Sequence, residues 1–230
     1  MIKKYINRNN IFYKPYLFFR IFWLEKFFFK KKSYSQCGED MFILEFFKDK
    51  ITEGTYVDIG AFNPIKFNNT YLLHKKGWKG INIDLNQTSI DMFNILRPND
   101  KNICAAVSDK IEKVEVYIEN LFSPLNTIST DRIKLFHNNK LKNNTYYVET
   151  KMINTLINHK FDFLNIDIEG HDFQVLKSIK LDYYTPKLVC IEILNFKKKK
   201  KIEQYFNRNG YHFVKKMGPS YFFSVKKDLI

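Results

Sequence analysis

The 230-residue chain has the size of one ordinary α/β domain or a domain with an appendage, and its 45% apolar content supports a full core. Its net charge of +14 is uneven: residues 1–32 hold nine Lys/Arg and one Glu, so +8 sits there and +6 in the remaining 198 residues. Basicity spread in this way is no signature of a nucleic-acid partner, and nothing in the chain resembles a recognised nucleic-acid module.

The first 32 residues form a basic, aromatic-rich segment that reads as helical. Between Ile11 and Phe29 it is crowded with Phe, Tyr, Trp and Leu, but Lys14, Arg20, Glu25 and Lys26 interrupt it. No apolar run approaches the roughly 20 residues that span a bilayer. Each such charge at mid-bilayer costs about 2.5–3.5 kcal/mol. The segment also lacks the small-residue cleavage site of a secretory signal. Two readings stay open: a helix lying on an anionic membrane surface, at the inner face of the membrane, or a helix packed on the domain or a partner subunit. The charges do not fall on one clean face of a helix.

Residues 33–230 read as the main domain. Ser33–Asp40 is polar and turn-like, and Met41–Phe47 is a short apolar helix. Strands follow at Tyr56–Ile59, Gly80–Leu85 and Ile103–Val107, separated by helices over Thr70–Lys76 and Ser89–Leu96. Val114–Ile118 alternates as an extra strand. Residues 119–145 are rich in Asn, Ser and Thr and read as a loop or cap insertion. Tyr146–Thr150 resumes the pattern, followed by a helix at Ile153–Asn158. A fourth strand spans Phe161–Ile168, a helix Phe173–Ile179, a fifth strand Lys187–Ile193 and a helix Lys198–Arg208. Tyr211–Lys215 and Ser220–Lys226 close the chain as a hairpin around Gly218-Pro219. Strand and helix alternating five times predict an α/β fold with a mostly parallel sheet, helices on both faces and a C-terminal antiparallel hairpin. In such a sheet the site lies at the carboxyl ends of the strands.

Those ends carry chemistry. The first presents Asp58-Ile-Gly60-Ala61, where a glycine lets backbone approach a ligand closely. The later glycines of a dinucleotide fingerprint are absent, which argues against an NAD-dependent oxidoreductase. The second strand ends at Asp84, 26 residues after Asp58 and placed to accept both hydroxyls of a ribose. Ser108 and Asp109 follow the third strand. The fourth delivers Asp167, Glu169 and His171 together, a crowding of titratable groups that packing alone rarely explains. Glu192 and Asn195 end the fifth. His74, His137, His159 and His212 lie away from the strand ends and suit surface or helix-packing roles. Cys37, Cys104 and Cys190 share no metal-ligand spacing, and a reducing, cytoplasmic setting is the simplest reading.

Six segments together resemble the FkbM methyltransferase family: Tyr34-Ser-Gln-Cys-Gly-Glu-Asp40, Val57-Asp-Ile-Gly-Ala61, Asn68-Asn-Thr70, Gly77-Trp-Lys-Gly-Ile81, Ala105-Ala-Val-Ser108 and Ile166-Asp-Ile-Glu-Gly-His-Asp172. The resemblance runs from about Ser33 to Glu192. It implies a Rossmann-like class I methyltransferase fold, S-adenosylmethionine as methyl donor, and O-methylation of sugars in bacterial surface polysaccharide (capsule or O-antigen) or of natural products. Asn165 departs from the Lys that members often carry before Ile-Asp.

On this reading Asp58, Gly60 and Ala61 meet the amino-acid end of the donor, Asp84 its ribose, and Ser108 and Asp109 its adenine. Gln36 and Thr70 join through the resemblance alone. A sugar hydroxyl is a poor nucleophile, so Asp167 is expected to act as base or to hold a divalent ion, with Glu169 and His171 as partners. Asp167, Glu192 and Asn195 would furnish the oxygen shell for Mg²⁺ or Mn²⁺. The acceptor would be a small molecule, a nucleotide-sugar or a glycan. Its identity and the oligomeric state are not written in the sequence. The competing readings are a basic membrane- or nucleic-acid-binding protein on the same scaffold, and an N-methyltransferase for a non-sugar acceptor.

Overall fold

Residues 8–24, 31–50, 52–117, 120, 122–123, 126–129 and 145–225 are described in a computed structural model of the chain. Helix α1 (Tyr13–Phe19) continues into a wider turn at Arg20–Leu24, and α2 (Glu39–Phe46) follows. Next come β1 (Thr55–Ile59), α3 (Tyr71–Lys75), β2 (Lys79–Asp84), α4 (Gln87–Leu96) and β3 (Lys101–Cys104). The middle of the chain holds β4 (Val107–Ser108), β5 (Lys113–Tyr117), β6 (Thr145–Glu149), β7 (Lys151–Met152) and α5 (Ile153–Leu156). The last third runs β8 (Phe163–Ile166), α6 (Asp172–Ser178), α7 (Leu181–Tyr184), β9 (Leu188–Glu192), α8 (Phe196–Arg208), β10 (His212–Met217) and β11 (Ser220–Ser224).

Seven strands make one sheet in the order β10-β11-β9-β8-β1-β2-β3. All neighbours from β9 to β3 pair in parallel, and β11 inserts antiparallel between β9 and β10. The predicted α/β architecture with its closing hairpin is therefore the observed one. The central strands are largely apolar because both faces are covered, with Asp58, Asn82 and Asn165 as buried polar interruptions. Val57, Ile59, Leu164 and Ile166 pack on one face with Val175, Leu176 and Phe206. Tyr56 and Phe163 pack on the other with Ile43, Phe47 and Trp78. Each such side chain contributes about 1.5–3 kcal/mol by leaving water. Alternation along β1 thus sends Asp58 to the same face as Tyr56, away from Val57 and Ile59.

Two expectations shift. The third strand stops at Cys104; Val107–Ser108 leaves the main sheet and pairs in parallel with Lys151–Met152. The alternating stretch is real but pairs with β6 outside the main sheet, Val116 lying opposite Tyr146. Most of the insertion 119–145 lies outside the described residues, as do residues 1–7 and 25–30 and Lys226. What is described of the insertion bridges back to β5, Thr127 and Tyr117 exchanging backbone hydrogen bonds.

At the N-terminus α1 docks on α4. Tyr13, Leu17 and Ile21 are buried against Met92, Ile95, Leu96 and Phe122, and the Tyr13 hydroxyl donates to Asp91 at 2.7 Å. No helix among the described residues is long and apolar enough to cross a membrane.

Candidate active site

The strand order reverses between β1 and β8, since β2 and β3 lie on one side and β9 on the other. A doubly wound sheet opens a crevice at such a point, outside the carboxyl ends. Gly60 and Asp167 stand on its two lips. Gly60 has φ of +82°, and a Cβ there would fall 1.7 Å from the Asp167 carbonyl oxygen. The glycine is needed first because two stretches of backbone touch. The amides of Gly60 and Ala61, expected to face a ligand, instead donate to the Ile83 carbonyl at 2.8 and 3.1 Å. They tie the end of β1 to β2.

Two cavities meet at these lips. The larger, about 530 Å³, has an apolar floor of Ile59, Ile83, Leu85, Ala105, Ala106 and Val107, with Asp84, Asp167 and Glu169 as its carboxylates. Ser123, Asn126 and Ile128 of the insertion form its outer wall. The second, about 370 Å³, is polar: Gln36, Glu39, Asp58, Asn68, Asn69, Asn165 and Ser220 line it together with Gly60, Ala61 and Asp167.

Asp84 stands where a ribose-binding carboxylate was expected. Its oxygens accept from the amides of Phe62 at 2.8 Å and Asn86 at 2.7 Å, leaving the second lone pair of each. Burial pushes its pKa up to about 6 against the pull of those amides. The cap of α4 is Asn86, whose side chain accepts from the Thr88 amide, so Asp84 is not needed for that task.

Asp58 lines the polar cavity while being 1% exposed. It accepts from Asn165 at 2.9 Å and from the Thr70 hydroxyl at 2.9 Å, with the Asn68 amide at 3.4 Å. Burial raises its carboxyl even so. Thr70 is wholly buried behind it and accepts from Arg97 at 3.0 Å. Of the residues singled out by resemblance, Gln36 reaches a cavity wall and Thr70 serves Asp58 instead.

Asp167 is buried among like charges. Burial comes first, then the charges of Glu192, Asp172, Glu169 and Asp58, and together they hold its carboxyl well above the ordinary range. Carboxylate oxygens of Asp167, Asp172 and Glu192 lie within 4.8 Å of one another. Asp172, which was not among the expected site residues, joins this group. Each of its oxygens accepts one amide, from Ile168 and Gly170 at 2.9 Å each. They fix the turn in which Glu169 takes φ of +58° and Gly170 +101°. Asn195 is not among these carboxylates: it is exposed, and its side chain caps α8 by accepting from the Lys197 amide at 2.9 Å.

His171 points the other way along the edge. Its Nε2 lies 3.1 Å from the Ser108 hydroxyl, which also reaches Asp109 at 3.2 Å. Burial lowers its pKa, opposed by Asp109 and Glu112. Ser108 and Asp109 therefore brace His171, and the cleft wall at that level is Ala105, Ala106 and Val107. Leu85, Ser123, Asn126 and Ile128 were not anticipated; only position next to a strand end could have pointed to Leu85.

The FkbM methyltransferase domain matches residues 58–213. Among solved structures, methyltransferase FkbM from Methylobacillus flagellatus KT superimposes with a TM-score of 0.51 at 13% identity, over 75% of this chain and 44% of that one. The chain thus spans less than half of that protein's length. Ribosomal protein L11 methylase from Lactobacillus delbrueckii subsp. bulgaricus aligns with a TM-score of 0.45 at 13% identity, over 81% of this chain and 76% of that one. No curated protein matches the chain. Structural likeness at such identity speaks for the fold alone, but the domain match covers more than half of the sequence, from Asp58 near the end of β1 to Phe213 in β10. The chain belongs to the FkbM methyltransferase family.

Proposed function

We propose that the chain transfers the methyl group of S-adenosylmethionine to a hydroxyl of a sugar, in a nucleotide-sugar or glycan of surface-polysaccharide or natural-product biosynthesis. One observation carries the reading: an apolar-floored cavity with a carboxylate at its mid-wall and a polar cavity meet at Gly60 and Asp167. Family membership implies the donor, and the first cavity suits it. Leu85, Ala106 and Ile128 offer flat apolar surface for a purine, and Asp84 has lone pairs for ribose hydroxyls. The second cavity is lined by amides and carboxylates, the groups that pair with a polyhydroxyl acceptor.

When bound, the donor supplies a methyl group already activated on a sulfonium. The chain's share is alignment and proton handling. Asp167 lies between both cavities, and its raised pKa makes it a stronger base than an exposed carboxylate. The acceptor hydroxyl proton passes to its carboxylate as the oxygen gains the methyl group. Glu169 and Glu192 raise its basicity by their charge. His171 orders the loop through Ser108.

Two substitutions separate binding from chemistry. Asp84→Asn is expected to weaken S-adenosylmethionine binding by calorimetry about tenfold, as a charged hydrogen-bond acceptor worth about 1.5–3 kcal/mol is lost. In the unsubstituted chain the affinity should fall as pH drops through about 6, where Asp84 takes a proton. Asp167→Asn is expected to keep the affinity and lose about a hundredfold or more in kcat, the usual share of a general base. The rate of the unsubstituted chain should rise with pH until Asp167 is ionised and then level, and Asp167→Asn should lack that limb. S-adenosylhomocysteine release from a panel of nucleotide-activated sugars reads both; full activity of Asp167→Asn refutes the assignment. The same assay decides whether Asp167 works as a base or through Mg²⁺ or Mn²⁺ held with Glu192: EDTA leaves the first untouched and abolishes the second, with recovery on adding Mn²⁺.

A further inference from the structure

Helix α1 and the turn after it divide into two faces. Tyr13, Leu17 and Ile21 are buried on α4. Ile11, Phe12, Phe18, Phe19, Phe22 and Trp23 are 49–84% exposed, and at helical spacing they share the face turned away from α4. The face is formed, not frayed: Phe18 stacks on Phe22 with centroids 5.9 Å apart, and Phe19 on Trp23 at 6.3 Å. Two of the interrupting charges, Lys14 and Arg20, fall on its borders. Lys14 is exposed on one edge, and Arg20 stands on the other with its guanidinium 3.9 Å from the Phe122 ring.

We propose that this face lies on an anionic phospholipid surface. The twelve helical residues from Tyr13 to Leu24 reach roughly 18 Å, well short of the about 30 Å of a hydrocarbon core. Such a helix can lie in the headgroup boundary but cannot span it. Phe and Trp rings bordered by cations are the composition that an interfacial helix uses. Charge selects the occupant. A second copy of the chain meeting this face by two-fold symmetry would set the +8 of residues 1–32 against itself, whereas an anionic leaflet attracts it. The docked helix also touches the cleft: Tyr16 packs edge-on to Phe122 at 6.0 Å, and the next residue, Ser123, is on the cleft wall. A bound bilayer would hold the cleft mouth near its surface. The inference is independent of the methyl-transfer reading.

The test uses the whole chain and two kinds of vesicle, phosphatidylcholine alone and phosphatidylcholine with about 30% phosphatidylglycerol. The chain has two tryptophans, Trp23, 61% exposed, and Trp78, 2% exposed, so a blue shift of fluorescence on adding vesicles reports Trp23. The expected result is co-sedimentation and a blue shift with the anionic vesicles, at least about tenfold stronger than with neutral ones and reversed near 0.5 M salt. The triple variant Phe18→Ser, Phe22→Ser, Trp23→Ser should lose at least about tenfold of that binding while keeping its Tm, since all three side chains are exposed. Equal binding to both vesicles, or undiminished binding of the triple variant, overturns the proposal. So does a concentration-dependent dimer in sedimentation velocity that the triple variant abolishes without any vesicle binding by the unsubstituted chain.

Discussion

Gly60→Ala is expected to cost the fold about 4 kcal/mol or more and to abolish turnover with it. The added Cβ would lie 1.7 Å from the Asp167 carbonyl oxygen and 2.7 Å from its carbonyl carbon. Both are main-chain atoms, so no rotamer change relieves the contact. Parting them means parting β1 from β8, whose register runs from Tyr56 opposite Phe163 to Ile59 opposite Ile166. The left-handed φ adds about 1–2 kcal/mol by itself. Gly210 supplies the control: its φ is +78°, and a Cβ there meets nothing within 4 Å. Gly210→Ala should therefore cost only about 1–2 kcal/mol in urea unfolding. Equal losses in the two variants would mean that backbone strain, not the meeting of two strands, is what Gly60 relieves.

That meeting explains which parts of the site the sequence could reveal. Asp84 and Asp167 were legible because a strand buried on both faces announces itself as an apolar run, and the residue ending it must stand at the carboxyl edge. The role of Gly60 was half legible. Its positive φ follows from a turn after a strand, but its contact with Asp167 joins segments 107 residues apart. Register of that kind is set by the assembled sheet. Asn165 shows the same limit. It sits opposite Asp58 in the β1–β8 pairing and donates to it, where a lysine would have formed an ion pair, yet neither neighbour in sequence hints at this.

Ser108 lies outside the lining of the apolar-floored cavity because β3 ends four residues earlier and the chain turns to pair with Lys151–Met152. A two-residue strand has no periodicity to read. Asn195, by contrast, carries the ordinary signal of a helix start, an Asn before a helical run, and its side chain caps α8 as that signal says. The wall of Ser123, Asn126 and Ile128 comes from a segment whose polar composition says loop; composition does not say what a loop leans on. Lys14 and Arg20 fell on no clean face in the sequence because only the docking of α1 on α4 defines which face is which.

Arg97 is the residue least visible in the sequence and among the most consequential in the fold. It follows the last turn of α4 and precedes Pro98, a position that reads as a helix stop. Its side chain is nonetheless 0% exposed. The guanidinium donates to the Tyr56 hydroxyl at 3.2 Å, the Thr70 hydroxyl at 3.0 Å and Asn68 at 2.8 Å, and also to the Pro64 carbonyl. Rings of Phe93 and Tyr71 lie 4.9 and 5.2 Å from it. Through these partners its charge reaches two buried carboxylates. Asp58 is bonded to Thr70, and Asp100 accepts from Tyr56 at 2.6 Å. Burial alone would raise Asp100, but His74, Tyr56, Arg97 and the Gly80 amide hold it below the usual carboxylate range.

Arg97→Met is expected to cost about 3–5 kcal/mol at neutral pH, because it leaves buried carboxylates without their cation. The pH dependence has a definite sign. Asp100, with its lowered pKa, contributes stability that is present above the unfolded value and lost as pH falls through the folded one. Asp58, already raised, would rise further without Arg97, so ionising it would cost more as pH increases. The deficit of Arg97→Met should thus be largest at about pH 8 and shrink toward about pH 4, where the carboxyls take protons. Arg97→Lys keeps the cation but cannot fork to four partners, so it should recover much of the pH dependence and little of the stability. Urea unfolding of the three proteins across that range measures both. A deficit of Arg97→Met that stays constant with pH would show that the guanidinium holds the site by its shape and hydrogen bonds, and that Asp58 and Asp100 do not depend on its charge.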